Sequence, residues 1–514
     1  MPVTLVRKEQ IFQPDSSRVI TRFLFADDER AKRLIKAVLA FSPEQQRMVL
    51  SQVQRKYSTR HRSLQRIFAR HFKRLIPLME QMEIDHARLA EETKLLIGAY
   101  FTMEYSIEAA AFFNPSIVMH PDQNQLGRGQ TRIIISFRAT GEGHISSIVF
   151  REGILDEHMH IEIESPGKML EVAEHVKNHT YHKRSFLRKL REMWSDSGYR
   201  NDEAYEFISD QLQDTFTYEE LKQALKEVQV KLEPRQENLA FLQEVRWLAS
   251  SHYEMTFSGD TSVSERVIFP IAETEKNGIE DARFVRFVDD NGAVTYYATY
   301  TAYDGISILP KLLETEDFRH FKVMPVHGYI AQNKGMALFP RKINGKYAML
   351  CRIDGVNNYI AYSDTVNVWR EAKLIQTPNQ PWELVQMGNC GSPLETAAGW
   401  LVITHGVGPM REYVLSASLL DLENPEQEIG RLKEPLLVPN KVEREGYVPN
   451  VVYSCGAYIH EGQLIIPYAM SDYASTYAVV DLEELLAQLG VTGAEAVRTR
   501  AGSQPPSVPE RNGR

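Results

Sequence analysis

The chain is predicted to be an all-β five-bladed propeller with an N-terminal α-helical domain and a helical insertion after the first blade. Three observations predict this. A turn glycine leads into an aromatic-rich strand four times, at Asn291-Gly292, Asn344-Gly345, Ala398-Gly399 and Glu461-Gly462, with the glycines 53, 54 and 63 residues apart. Gly129, ahead of the alternating run Thr131 to Arg138, adds a fifth unit. Stretches of helical periodicity precede the first unit and separate it from the second. Four-stranded units at this kind of spacing cannot bury both faces alone, and radial packing solves that while leaving few free edges.

Taken in order, residues 1–105 read as a helical domain. Asp27 to Ala40, Ser42 to Lys56, Arg60 to Met82 and Ile84 to Tyr105 carry apolar residues three and four apart. Ser42-Pro43-Glu44-Gln45 has the order of a capped helix start. The basic run Arg55, Lys56, Arg60, His61, Arg62 and Arg66 is expected to be a solvated or subunit-contact face. Residues 106–165 form the first blade, 166–250 the helical insertion, 251–490 the remaining blades, and 491–514, rich in Gly, Pro, Ser and Arg, a disordered tail.

Composition narrows the function. The 514 residues are 43% hydrophobic and 25% charged, with net charge −9, an acidic balance that argues against a nucleic-acid binder. No run reaches the roughly 20 apolar residues of a membrane span, and the first residues lack the basic-then-apolar order of a secretory signal, so a cytoplasmic protein with no membrane partner is expected. Cys351, Cys390 and Cys455 have no CxxC spacing; they are expected to be small buried hydrophobes, with no metal site.

The distinctive polar stretch is Gly278-Ile279-Glu280-Asp281-Ala282-Arg283-Phe284, two carboxylates with an arginine close by. It can be a solvated turn, or a turn that presents a carboxylate whose charge state the arginine sets. The hairpins end in Arg138, Tyr303 with Asp304, Arg352, His405 and Asp472, positions that a propeller brings to one central cavity. Lys334, Arg341, Arg411 and Tyr413 add groups suited to a phosphate or another anion. GxSxG, HExxH and dinucleotide-binding patterns are missing from the sequence, whereas a carboxylate among anion binders and aromatics suits sugar chemistry.

Eight motifs in order, FNPS at 113, GIEDAR at 278, YTAYDG at 300, KGMALFPRKINGKYAMLCR at 334, GNCGSPLET at 388, GWLVITHGVGP at 399, LLDLENP at 419 and GYVPNVVYSCG at 446, resemble glycoside hydrolase family 130, the family of β-mannoside phosphorylases and related hydrolases. The resemblance implies that Asp281 is the catalytic acid of an inverting phosphorolysis that yields α-mannose 1-phosphate, acting through a sugar hydroxyl. It implies that Asn114, Arg138, Asp304 and Asp472 hold the mannosyl unit, and that Lys334, Arg352, His405 and Tyr413, with Arg341 and Arg411 as further candidates, bind phosphate or the sugar beside it. No cofactor is implied; inorganic phosphate is the co-substrate and a di- or oligosaccharide the partner, in a homo-oligomer. Ala282 departs from the proline usual in that motif, which bears on loop stiffness. An inverting hydrolase of the same family and a non-catalytic glycan- or protein-binding propeller are the alternatives.

Overall fold

The period-two runs become the strands of five antiparallel sheets in a computed structural model. It describes residues 3–167, 169–176, 180–184, 186–188, 190–191, 202–231, 236–250, 252–270, 272–303, 308–331 and 333–491. The first sheet is built on Ala111–Met119, Thr131–Thr140 and Ser146–Leu155. The second runs Ile279–Val288, Val294–Tyr303, Ile308–Thr315 and His320–Pro325, with Tyr253–Thr256 beyond. The third comprises Ala337–Leu338, Tyr347–Cys351, Asn358–Ser363 and Ala372–Gln376. Gln386–Asn389, Gly399–Val407, Tyr413–Leu420 and Glu428–Arg431 make the fourth. The fifth has Val452–Tyr453, Gln463–Met470 and Ala474–Asp481. At Asn344-Gly345 both residues have positive φ (51° and 76°), the geometry a tight turn needs and the reason glycine recurs at these positions.

Each sheet packs on the next through its own apolar layer. Phe150, Phe284, Tyr296 and Phe318 fill the space between the first and second sheets, and Phe287, Leu312, Met349 and Trp369 that between the second and third. Phe339, Leu350 and Trp400 lie between the third and fourth, and Leu401, Leu415, Ile466 and Tyr468 between the fourth and fifth. Ile133, Phe137, Ile465 and Tyr477 join the fifth back to the first. Contact thus runs around all five sheets and returns to its start.

Several expectations need correction. Residues 1–105 are not helical throughout. The helices are Asp28–Leu39, Pro43–Tyr57, Leu64–Lys73, Ile76–Gln81 and Glu91–Tyr100. Ser42 and Gln45 do form a capping box. However, Val19–Phe23 pairs with Thr102–Ser106, and Leu5–Arg7 is the outer strand of the fifth sheet, antiparallel to Ala474–Asp481. Three residues are too few to show a period. The first sheet is not confined to 106–165, because Arg266–Ile268 pairs with Ser146–Leu155 from beyond the insertion. Nor is the insertion purely helical. Besides the helices Asp202–Gln211, Tyr218–Lys231 and Gln236–Ser250, its strand Glu171–Val172 lies parallel to Arg266–Ile268 and Glu174–Val176 pairs with Tyr253–Thr256. The tail after Val491 and part of the insertion lie outside the described residues.

The N-terminal segment is tied to the sheets by charge as well as by strand pairing. Buried Glu108 binds Arg18 at 2.8 Å and Arg151 at 2.9 Å. In the basic run, His61 contacts Glu104 at 2.7 Å and Arg62 bridges to Asp260 and Glu265 at 2.8 and 3.3 Å, so this part faces neighbouring elements. A cavity of about 710 Å³ opens beside these residues and helix Leu64–Lys73, with Arg22, Arg70 and Lys73 in its wall.

Candidate active site

Two backbone irregularities build the centre of the site. The opening strands of the first and second sheets each slip register, between Phe113 and Ser116 and between Glu280 and Arg283. At the slips Asn114 and Asp281 take left-handed φ values of 49° and 55°. A bulge re-aims one side chain out of the alternating pattern, and non-glycine residues in that region signal strain held by their surroundings. Here the two re-aimed side chains meet, with Asn114 Nδ2 donating to Asp281 Oδ1 at 2.7 Å. Gly278 allows the approach, since its φ is 121° and a Cβ there would lie 2.9 Å from Ser146 N.

Cations surround this pair. Arg138, stacked over Phe113, donates to Glu280 Oε1 at 2.9 Å and has Nη1 3.6 Å from Asp281 Oδ1. Lys334 Nζ lies 2.5 Å from Glu280 Oε2, so Glu280 is held between two cations. Buried Arg283 donates to the Asp281 carbonyl at 3.0 Å and to the Tyr453 hydroxyl at 2.9 Å. Burial pushes the Asp281 carboxyl up, but Arg138, Arg283, Lys334 and the Asn114 amide together outweigh it and leave the group below its ordinary value. Asp472 behaves oppositely. Burial and the nearby Asp281 charge raise it to about 6, against the pull of Arg138 and Arg411.

A second group lies on the third and fourth sheets. Arg352 Nη1 donates to His405 Nε2 at 3.3 Å, and His405 Nδ1 is 3.7 Å from Cys390 Sγ. Burial first, then Arg352 and Arg283, hold the imidazole well below its ordinary pKa, so it is neutral. His405 therefore contributes no positive charge here, and its Nε2 accepts from Arg352. Its ring is parallel to Tyr413 at 6.1 Å and edge-on to Tyr453 at 5.0 Å. Arg352 Nε and both amide atoms of Asn389 are buried without a partner, which leaves polar capacity unused beside this cluster. Gly388 has no room for a side chain, since its Cβ would lie 2.4 Å from Arg352 Cδ.

The structure therefore brings Asn114, Arg138, Asp281 and Lys334 together, with Asp472 and Arg411 within electrostatic reach, and sets Arg352, His405 and Tyr413 in a neighbouring group linked through Arg283 and Tyr453. Arg341 is not part of either. It pairs with Glu395 at 2.9 Å and stacks over Trp400 at 4.8 Å. Asp304 lies outside the described residues. The three cysteines are buried free thiols. Sequence reasoning missed Tyr453, although it sits within the GYVPNVVYSCG motif. It also missed a fully buried group behind the acid turn, where Glu275 accepts from Lys311 Nζ at 2.6 Å and from the hydroxyls of Tyr253 and Tyr300 at 2.9 Å. The Glu275 carbonyl accepts from Gly278 N at 2.7 Å, anchoring the start of the turn. A lone lysine in the apolar run ILPKLLET was its available signal.

Residues 251–490 match the model of a glycoside hydrolase family 130 described as β-1,4-mannooligosaccharide phosphorylase. A 1,2-β-oligomannan phosphorylase of Thermoanaerobacter is 35% identical over 224 residues, 41% of this chain and 71% of that protein. A β-1,2-mannobiose phosphorylase of Listeria innocua is 31% identical over 232 residues, 44% of this chain and 63% of that protein. A solved structure of the Listeria innocua enzyme with β-1,2-mannobiose aligns at 21% identity and TM-score 0.45, covering 76% of this chain and 94% of that one. On the match to the Thermoanaerobacter protein and the family model, with Asp281, Lys334, Arg352, His405, Tyr413 and Asp472 all inside the matched residues, the chain belongs to glycoside hydrolase family 130.

Proposed function

We propose that the chain is an inverting β-mannoside phosphorylase on a five-bladed propeller, cleaving a di- or oligosaccharide with inorganic phosphate to α-mannose 1-phosphate and a shortened sugar. The phosphorylase names of its relatives support the reaction class, and the continuous contact around five sheets supports the propeller. The observation that carries the reading is the division of labour among the carboxylates. Glu280 is neutralised by Arg138 and Lys334, which disfavours it as a base for water. Asp281 is aimed by a bulge at a site rich in cations. A phosphate nucleophile needs no base but does need cations, and Arg352, oriented by His405, is the foremost of these.

The charge balance also gives a sequence of events. In the free protein Asp281 is ionised and cannot donate a proton. A bound phosphate offsets the fields of Arg138, Lys334 and Arg283, raising the Asp281 pKa towards that of a working acid. Asp281 then delivers its proton by way of a sugar hydroxyl to the leaving oxygen, while a phosphate oxygen attacks the anomeric carbon from the opposite face. The glycosidic C–O bond breaks as the new C–O bond forms, and the configuration inverts. Asn114, Arg138 and Asp472 hold the mannosyl unit, and Tyr413 and Arg411 border the phosphate. The division into an N-terminal segment rich in helices, first blade, insertion and remaining blades, the cytoplasmic location and assembly as a homo-oligomer belong to the same proposal. Product analysis over β-mannosides with and without phosphate tests it. Mannose 1-phosphate is expected only with phosphate, and equal release of free mannose without it would establish the hydrolase instead.

A further inference from the structure

Two exposed rings, His144 and Tyr447, stand on the loops next to the strand ends that carry Arg138 and Asp472. Tyr447 is 72% exposed, and its ring lies 5.7 Å from that of His144 at an interplanar angle of 31°. The two come from different parts of the chain. His144 is on the hairpin that joins Thr131–Thr140 to Ser146–Leu155, six residues after Arg138, and Arg138 Nε donates to Ser146 Oγ at the end of the same hairpin at 3.0 Å. Tyr447 is on the loop before Val452–Tyr453. Next to it, Val448 N donates to the carbonyl of Ser471, the neighbour of Asp472, at 3.0 Å, and Tyr413 N donates to the carbonyl of Asn450 at 2.9 Å. The pair thus spans from the Arg138 hairpin to the Asp472 turn.

The loop that carries Tyr447 is held in place. Buried Glu443 accepts from Arg7 Nε at 3.0 Å and Tyr468 Oη at 2.6 Å, Ser471 Oγ donates to its carbonyl at 2.6 Å, and Arg444 Nε donates to Asn450 Oδ1 at 2.8 Å. At Gly446 the loop runs so close to the Asp472 hairpin that a Cβ would lie 2.5 Å from Ser471 O. A large aromatic left in water on a rigid loop has no packing function for the fold. Flat rings with one face open suit the C–H face of a pyranose, and their cost in lost side-chain freedom is small.

We infer that His144 and Tyr447 form a stacking subsite for the saccharide beyond the scissile bond, so that they set preference for chain length. This rests on the phosphorolysis proposed above. The test is steady-state phosphorolysis of β-mannobiose and β-mannotriose of whichever linkage the wild type turns over, with Tyr447→Ala, Tyr447→Phe and His144→Ala. Tyr447→Ala is expected to raise the KM for the trisaccharide about three- to tenfold. The KM for phosphate should stay within twofold, and kcat should change less than the saccharide KM. Tyr447→Phe should restore the wild-type value, and His144→Ala should shift the same parameter in the same direction. An unchanged trisaccharide KM in Tyr447→Ala, or a wild type that rejects trisaccharides, overturns the subsite while leaving the phosphorolysis intact. Absence of phosphate-dependent turnover with every β-mannoside defeats the reaction itself, and the subsite with it.

Discussion

At the scale of single residues, charge decides most of the outcomes. Asp281→Asn should lower turnover at least about 100-fold in a chain that still folds, because a positioned acid contributes that much or more; an active, folded variant would remove Asp281 from the acid role. His405 is held neutral, so its own titration should leave no step in phosphate affinity between pH 6 and 8. His405→Ala should still weaken phosphate binding by releasing Arg352, with His405→Gln, which retains an acceptor, closer to wild type. Asp472 adds a stability argument. Its pKa is raised when folded, so its favourable contribution is complete below the unfolded value and lost as pH rises through about 6. Asp472→Asn should therefore stabilise the protein at pH 7, on the order of 1 kcal/mol after screening at this partly exposed site, and show little difference near pH 4. Equal melting shifts at both pH values would contradict this.

At the scale of elements, the bulges and close-approach glycines do the positioning. Regular pairing of Ala111–Met119 and Ile279–Val288 would leave Asn114 and Asp281 in their strands' alternating pattern, and their contact depends on both slips. Gly388→Ala places a methyl where Arg352 Cδ stands, so it should raise the KM for phosphate several-fold while leaving the saccharide KM less affected. Equal changes in both would show that the strand, rather than Arg352, had moved. Ala282, expected to loosen the acid turn, is itself buried inside the bulge. The turn's anchorage comes from Glu275 and Gly278 instead.

At the scale of the whole molecule, the ends of the chain secure the fifth sheet and the N-terminal segment. Leu5–Arg7 covers the edge of Ala474–Asp481, and Arg7 reaches Glu443 beneath the Tyr447 loop. Removal of residues 1–8 should lower the melting temperature and expose that edge to proteolysis, and a truncated chain as stable as the full one would show the closure to be dispensable. Glu108→Gln should cost about 3–5 kcal/mol, because it leaves Arg18 and Arg151 buried without their shared carboxylate.

The sequence by itself determined the repeat, the approximate places of the helices and the family motif that carries Asp281. These are local properties: a glycine turn, a period of two or of 3.6, a motif of a few residues. Ser42 and Gln45 capped their helix as their spacing predicts, and the four glycine turns lie between paired strands where they were expected. Tertiary structure alone decided what long-range contact decides. Arg266–Ile268 joins a sheet whose other main strands lie before the insertion, and Leu5–Arg7 joins one near the far end of the chain. Three-residue strands carry no readable period, so only their partners define them. The same holds within the site. Asn114 and Asp281 are 167 positions apart and meet through paired bulges, Arg341 turns to Glu395, and His405 loses its charge to burial and two arginines. A residue's type is written in the chain, whereas its charge state and its aim depend on what the fold places within a few ångströms of it.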